Sequence, residues 1–524
     1  MNLAAEFADA NGSAEIGGLD PRNLRPLPPV RASSLEEVAH AVRTAREAQP
    51  KWQELGSSDR FRLLERAAKR LLSERDEGLS IVKREIGKTP ADALFTEALG
   101  PLDALRGWRR VIEHAPAGPV SLSSIAFPKK SARIELVPRG VVGIIAPWNF
   151  PVAGLYRSVF PALLLGNAIV VKPSEHSPRS SSWFLRILTE ELPPGTVNVL
   201  FGAGAIGAAL VQADIDACVF TGSSAVGEVV ERNCFERGVA CSAEMGGNDA
   251  AIVLDDADLP RTVAGIVQWA LQNAGQACGA VEVVYADSRI AEQLVARLTD
   301  ACRRLKRPVP AEGAGSYAPL AFRLQLDKVL AQLSDARERG AVVEAGGVAD
   351  GLWLTPTVLS GCTADMDIVR EETFGPVIPV VSVDGAAEAI RHVNAGKYGL
   401  TASLWTRDLT RAERLAQRLD VGVVTVNNHA FTGAIPDLPW SGRRASGRGI
   451  AGSAWSLSTF ARPKAIAIDS SDSPEPFWVP YDGDLEELGH LLADAQLGRL
   501  TRAYKIPLLL RKRVKAVKAF FGIV

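Results

Sequence analysis

Apolar residues recur at helical spacing from Ser34 onward. Leu35, Val38, Val42 and Ala45 form one stripe, and Ser34 with Glu37 three residues later makes a capping box at its start. Similar stripes run through Phe61–Leu72 and Asp76–Ile86 and on toward Trp108, which predicts a helical first hundred residues with no chemical role of their own. Before Ser34 the chain is rich in Pro, Gly and Asn without periodicity, and reads as a flexible leader over 1–33. Alternation then favours strands at Val120–Ile125 and Arg133–Val137, either a core hairpin or an arm toward another subunit.

Beyond these, short apolar runs alternate with helical stretches. Val141–Ile145, Ala168–Val171, Val197–Leu200 and Ala217–Phe220 read as buried strands, and Ala240–Ala243, Ile252–Leu254 and Val421–Val426 as further ones. Strands separated by helices imply a parallel sheet, whose ligands bind at the strands' carboxyl ends. Those ends carry Ala146-Pro147-Trp148-Asn149-Phe150-Pro151, Lys172-Pro173-Ser174-Glu175, Gly202-Ala203-Gly204-Ala205-Ile206-Gly207 and Phe220-Thr221-Gly222-Ser223-Ser224-Ala225-Val226-Gly227. The Gly202–Gly207 run matches a dinucleotide fingerprint but follows the third strand of the unit rather than the first. The Gly222-Ser223 turn is the better phosphate site, since strand, turn and helix start coincide there; the alternative is an ordinary capped helix.

Composition adds limits. The chain has 524 residues, 47% of them hydrophobic, with 59 Lys and Arg against 60 acids and a formal net charge of −1. Nothing global argues for a nucleic-acid partner. Pro151–Val171 is apolar except for Arg157, but Pro161, Gly166 and Asn167 divide it into helix and strand rather than a membrane span. The six cysteines form no CxxC pair and no metal-ligand cluster, so no metal is expected and reduced thiols in a cytoplasmic compartment are the simplest reading. Among them Cys278 stands out. It ends Asn273-Ala274-Gly275-Gln276-Ala277-Cys278, whose small residues leave room for a carbonyl to reach the sulfur; the ordinary alternative is a small buried hydrophobe. Glu244, placed before Met245-Gly246-Gly247, is a candidate base or a loop acid.

In order, Ala-Pro-Trp-Asn-Phe-Pro at 146–151, Lys-Pro-Ser-Glu at 172–175, Phe-Thr-Gly-Ser with Gly227, Glu-Met-Gly-Gly at 244–247, Asn-Ala-Gly-Gln-Ala-Cys at 273–278 and Glu-Glu-Thr-Phe-Gly-Pro at 371–376 resemble the aldehyde dehydrogenase superfamily, from about Ser34 to about Ile468. The resemblance implies an α/β fold: a Rossmann-like dinucleotide-binding domain (34–117 and 139–246), an α/β catalytic domain (247–460) and a β-arm for oligomerisation (118–138 and 461–470). It implies Cys278 as nucleophile, Glu244 as general base and Asn149 as oxyanion-hole amide. Lys172 and Glu175 would contact the adenosine ribose, Ser223 the pyrophosphate, and Glu372 with Phe374 the nicotinamide side. Pro147, Trp148, Ser174, Gly202, Gly207, Gly222, Val226 and Met245 complete the expected cofactor contacts. The expected reaction is oxidation of an aldehyde to a free acid with NAD, NADP being possible, by a homodimer or homotetramer. Asn248, Val283 and Gly447-Arg448-Gly449-Ile450 stand where the family pattern has lysine, arginine and Gly-Arg-Glu, so the substrate pocket is left open. Other readings are a catalytically idle membrane-associated scaffold and a cofactor-free thiol esterase.

The last segment, 471–524, extends past the family pattern as a helical extension. Asp472, Glu475, Asp482, Asp484, Glu486, Glu487 and Asp494 precede a stretch with Arg502, Lys505, Arg511, Lys512, Arg513, Lys515 and Lys518 and no acid. Leu510, Val514, Val517 and Phe521 share a helical face, which predicts either peripheral contact with an anionic membrane or docking within the protein, the acidic segment serving as partner.

Overall fold

The structure is a computed structural model and describes residues 15–123, 127, 129–308 and 315–523. It divides into two compact units, one of residues 1–115 and 136–462, the other of 116–135 and 463–524.

In the first unit, α1 (Leu35–Glu54) starts at Ser34 with both bonds of the capping box in place. α2 (Ser57–Ser73) and α3 (Arg75–Glu85) follow. A π-helical turn, Leu94–Ala98, then leads into α4 (Gly100–Glu113). The expected leader is held from Glu15 onward: Glu15–Ile16 pairs with Val30–Arg31, and the Arg179 guanidinium donates to the Pro28 carbonyl at 2.7 Å. A guanidinium with several donors can fix a segment that has no core of its own.

Two sheets follow in sequence. The strands β1 (Val141–Ile145), β2 (Ala168–Lys172), β3 (Val197–Val199), β4 (Ala217–Thr221) and β5 (Ala240–Glu244) form a parallel sheet in the order β3-β2-β1-β4-β5. After each of the first four runs a helix: α5 (Ala153–Leu164), α6 (Pro178–Glu191), α7 (Gly204–Gln212) and α8 (Ser224–Glu236). The doubly wound order puts the switch point between β1 and β4, where such sheets bind ligands. β6 (Asp249–Val253), helix α9 (Leu259–Leu271), β7 (Val281–Asp287), β8 (Val342–Ala345), β9 (Thr357–Ser360), β10 (Val377–Val383), β11 (Thr401–Trp405) and β12 (Val423–Val426) build the second sheet, ordered β8-β9-β10-β7-β6-β11-β12. Only β8 runs antiparallel to its neighbour. Both sheets are buried on two faces, and β6 and β7 have no exposed residue, which is why these strands read as continuous apolar runs rather than alternating ones.

The amino ends of α5 and α6 are closed by carboxylates from the helical first hundred residues. Glu97, placed by the π turn, accepts from the Val152 and Ala153 amides at 3.0 and 2.9 Å. Glu85 accepts from the Arg179 and Ser180 amides at 3.0 and 2.6 Å. α7 and α8 have no side-chain cap.

In the second unit, strands Gly118–Val120, Lys130–Pro138 and Ala461–Asp469 make a three-stranded sheet with Lys130–Pro138 central. The first strand lies earlier than Val120–Ile125, because Gly118, Pro119 and Val120 pair with Ile134, Arg133 and Ala132; Ser124 and Ile125 lie outside the described residues. Pro119 suits this edge strand, where no further partner needs its missing N–H. An acidic helix, Gly483–Gln496, and a basic helix, Ile506–Phe521, then form a hairpin. Its buried face differs from the one expected: Leu509, Arg513 and Val517 turn inward, and Phe521 is exposed. Arg513 draws the helix round, since its guanidinium donates to Asp482 at 2.6 Å and to the Pro476 and Trp478 carbonyls at 3.1 and 2.6 Å.

Candidate active site

The loop after α9 carries the thiol on a strained backbone. Asn273 (φ 50°), Ala274 (φ 56°) and Gly275 (φ 73°) are left-handed in succession. Ala274 bears the largest local cost, since a Cβ clashes in that conformation, about 1–2 kcal/mol. A Cβ at Gly275 would meet the Gly375 carbonyl oxygen at 2.2 Å, so only glycine fits. The loop is paid for by buried amide bonds: Asn273 Nδ2 donates to the Asn149 and Gln276 carbonyls at 3.0 and 3.1 Å, and Gln276 Nε2 donates to the Asn273 carbonyl at 2.8 Å. Asn149 Nδ2 in turn donates to the Gln276 carbonyl at 3.0 Å. The candidate oxyanion amide and the cysteine loop are therefore fixed to each other by their side chains.

Behind Asn149 stands the helical segment to which the sequence assigns no chemistry. Lys88 lies 3.6 Å above the Phe150 ring and pairs with Glu97 at 2.6 Å, both side chains fully buried. Glu97 then holds the start of α5, as described above. This support escapes sequence reading because Lys88 and Glu97 fall in a helical pattern, and meet the site through a ring face and two backbone amides that no motif announces.

Cys278 is partly accessible and packs against a small apolar cluster of Leu400, Val423, Ala430 and Trp440. Burial pushes its thiol up to about 12; Arg157 opposes this, while Glu244, Asp249 and Glu372 add to it. Glu244, buried at the end of β5, is likewise raised by burial and opposed by Arg157. Arg157 is the one cation common to both, and among the described residues no carboxylate forms a salt bridge with it; its guanidinium lies over the Trp440 ring at 5.6 Å. The sequence signal for Arg157 was its being the single charge in Pro151–Val171.

The expected cofactor residues form a connected run. Lys172 Nζ and Glu175 pair at 3.0 Å. Burial raises the Glu175 carboxyl, but Lys172 and local hydrogen bonds outweigh it and leave the group below the ordinary range. Ser174 is buried and accepts from the His176 amide at 3.3 Å, so its hydroxyl serves the turn. Gly202 lies in the turn after β3, and Gly207 on α7 stands beside the Lys172 stem. The Gly222 amide donates to the Glu244 carbonyl at 3.1 Å, joining the phosphate turn to the base-bearing strand. Ser223 is the N-cap of α8 with its hydroxyl unspent on a cap, whereas Val226 packs toward the core. Met245 is buried and lies so close to Gly227 that a Cβ there would meet it at 2.5 Å.

Pro147 and Trp148 occupy the turn after β1, and Trp148 sets its edge against Phe374 at 5.6 Å and Phe322 at 5.0 Å. Phe322 stacks on His176 at 4.2 Å, so an aromatic row joins the Lys172 turn to Phe374; neither Phe322 nor His176 lies in a recognisable motif. Phe374 is left-handed (φ 54°), and its amide donates to Glu282 at 2.8 Å. Glu372 accepts from the Gly247 amide at 3.2 Å, and a Cβ on Gly246 would lie 2.2 Å from it. Asn248 and Val283, two departures from the family pattern, line one cavity of about 320 Å³ with Glu371, His392 and Lys397.

A sequence model of the aldehyde dehydrogenase family matches residues 7–466. The chain belongs to the aldehyde dehydrogenase family. It is 34% identical over 471 residues to a 4,4'-diapolycopene aldehyde oxidase of Methylomonas, covering 89% of this chain and 88% of that one. An NADP-dependent glyceraldehyde-3-phosphate dehydrogenase of Bacillus halodurans C-125, solved with NADP, superposes with a TM-score of 0.83 at 31% identity, over 88% of this chain and 97% of that one. A lactaldehyde dehydrogenase of Escherichia coli gives 0.81 at 30%, over the same shares. An aldehyde dehydrogenase of Bacillus cereus in complex with NAD+ gives 0.82 at 29%, over 88% and 94%. This aldehyde dehydrogenase is thus an α/β enzyme of aldehyde oxidation, and its tail lies beyond the family match.

Proposed function

We propose that the protein oxidises an apolar aldehyde to its carboxylic acid with NAD, through a covalent intermediate on Cys278. The observation that carries this reading is the mutual fixing of Asn149 and the Cys278 loop through Gln276 and Asn273, beside a buried Glu244. As thiolate, Cys278 attacks the aldehyde carbon, forming a C–S bond while the carbonyl pair moves onto oxygen. The Asn149 amide and the Cys278 backbone N–H donate to that oxyanion; one such donor is typically worth about 3–4 kcal/mol. NAD, when bound, supplies the hydride acceptor for the same carbon, which leaves a thioester on sulfur. Glu244 takes a proton from water, whose oxygen attacks the thioester; the C–S bond breaks and the acid departs. A raised carboxyl suits this work, because a base of higher pKa draws the proton more strongly.

The residues present fit a dinucleotide. Ser223 leaves an unspent hydroxyl at an uncapped helix start, Lys172 and Glu175 present a cation and an ionised carboxylate, and Trp148, Phe322 and Phe374 offer flat apolar faces. An ionised Glu175 would accept both ribose hydroxyls and repel a 2′-phosphate, which favours NAD. Replacing it, Glu175→Ser, is expected to raise kcat/KM with NADP relative to NAD by at least about tenfold, one such charge contact being worth roughly 1.5–3 kcal/mol. The apolar cluster of Leu400, Val423, Ala430 and Trp440 against which Cys278 packs supports an apolar aldehyde, in line with the diapolycopene aldehyde in the Methylomonas relative's name.

We further infer a homo-oligomer joined along Ala461–Asp469, an exposed edge strand with unpaired backbone groups. The C-terminal hairpin we read as a peripheral membrane contact; among the described residues no helix is long and apolar enough to cross a membrane. The deciding test is NADH formation by wild type and Cys278→Ala across short, long, aromatic and semialdehyde substrates. Turnover lost in the variant, and best with long apolar aldehydes, is the expected result. Folded protein that binds NAD and turns over nothing would leave the scaffold; ester cleavage without NAD would leave the thiol esterase.

A further inference from the structure

We propose that the outer face of the C-terminal hairpin docks on an anionic lipid bilayer, Arg511 and Lys515 lying on the headgroups and Tyr504 and Leu508 entering the boundary with the acyl chains. This rests on the peripheral-membrane reading and adds the face, the lipid charge and the depth of contact.

The inner side of the basic helix is fully used. Leu509 is buried with Leu488 and Leu491 of the acidic helix, and Arg513 is buried on Asp482. Lys512 pairs with Asp484 at 2.8 Å, and Arg502 and Lys505 with Glu487 at 3.0 and 3.1 Å. These bonds hold the hairpin together and occupy Asp482, Asp484 and Glu487. What is left outside has a different composition. Tyr504, Leu508, Arg511 and Lys515, spaced 4-3-4, form one exposed stripe, and among the described residues neither Arg511 nor Lys515 forms a salt bridge. No Asp or Glu occurs from Ala495 to Val524.

The stripe also carries large apolar side chains without cover, since Tyr504 and Leu508 are both exposed. Lone exposed apolar residues need no explanation, but two in one stripe with unpaired bases do. Charge decides the occupant. A second hairpin would bring the same positive stripe against this one, whereas an anionic bilayer supplies negative headgroups for Arg511 and Lys515 and an interfacial layer that favours Trp, Tyr and Phe. The arrangement also places the enzyme where an apolar aldehyde would be dissolved.

The test is co-sedimentation of the full-length enzyme with vesicles of phosphatidylglycerol and phosphatidylcholine, or of phosphatidylcholine alone, at low salt. Turnover of a short soluble aldehyde in the same samples checks that each variant is folded. Wild type is expected to bind the anionic vesicles and to be released by salt. Arg511→Gln with Lys515→Gln should weaken partitioning about 25-fold, roughly fivefold per charge, and Tyr504→Ser with Leu508→Ser should weaken it at least about tenfold. Equal binding to both vesicles, or anionic binding that both variants keep, would overturn this face while leaving membrane contact standing. No vesicle binding by active wild type would remove both.

Discussion

Cys278, the proposed nucleophile, has surroundings that hold it as a thiol. Burial raises it to about 12, and three carboxylates oppose its ionisation further, with Arg157 alone in the other direction. The sign is simple: below that value each pH unit multiplies the thiolate fraction about tenfold. Alkylation of Cys278 by iodoacetamide should therefore climb about tenfold per unit from pH 7 to 10, followed by mass spectrometry of its peptide; a plateau near pH 7–8 would mean a thiolate already formed. Arg157→Met should slow the reaction by up to about tenfold, equivalent to one pKa unit. On the proposed mechanism Glu244 serves the second half of the cycle, so Glu244→Gln should give a burst of about one NADH per active site and then nearly stop, since general-base catalysis is typically worth about 10²–10⁴-fold. A variant showing no burst would place Glu244 before thioester formation. In the ascending pH limb of kcat the wild-type group should titrate above the ordinary carboxylate range, because burial raises it.

The cysteine loop shows strain confined to one element. Gly275→Ala would press a Cβ into the Gly375 carbonyl at a positive φ, and a loss of about 2–4 kcal/mol is expected from the two effects together. Thermal unfolding should show a lowered Tm, and alkylation of Cys278 should change with it; an unchanged Tm would mean the loop relaxes freely. Such elements also mark how far a sequence can be read. β1 was legible residue for residue, and β2, β4 and β5 to within one, because these short parallel strands are closed by turn residues, Pro147, Pro173, Gly222 and Gly246. Asn149, Cys278 and Glu244 were picked out as candidates because their motifs occur together and in order. Arg157, Phe322, Glu282 and the Lys88–Glu97 pair were not: each is an ordinary residue on a helix, strand or loop, given meaning by what another segment brings to it. In the tail, amphipathic spacing predicted a helix correctly but misjudged its inner face, since periodicity counts an arginine as polar and cannot see that Asp482 and two carbonyls await it.

Across the whole molecule, catalysis and tail are expected to separate. Arg513→Ala leaves two carbonyls and Asp482 without their donor, and about 2–4 kcal/mol should be lost from the hairpin. Limited proteolysis should then cut within 470–523 much faster, while turnover of a soluble aldehyde stays near wild type; a parallel loss of activity would tie the tail to the active site. The carboxylates at the helix starts have a consequence of the same reach. An anion is drawn to any open amino end of a helix, and a sheet followed by several helices offers several such ends on one edge. Here Glu97 and Glu85, each also paired with a cation, already take the amides at the ends of α5 and α6, so those two positions no longer attract a phosphate. Of these four helices, α7 and α8 keep uncapped ends. The helical first hundred residues thus act as a selectivity mask: by closing the other landing places, they would leave a diphosphate one direction in which to lie.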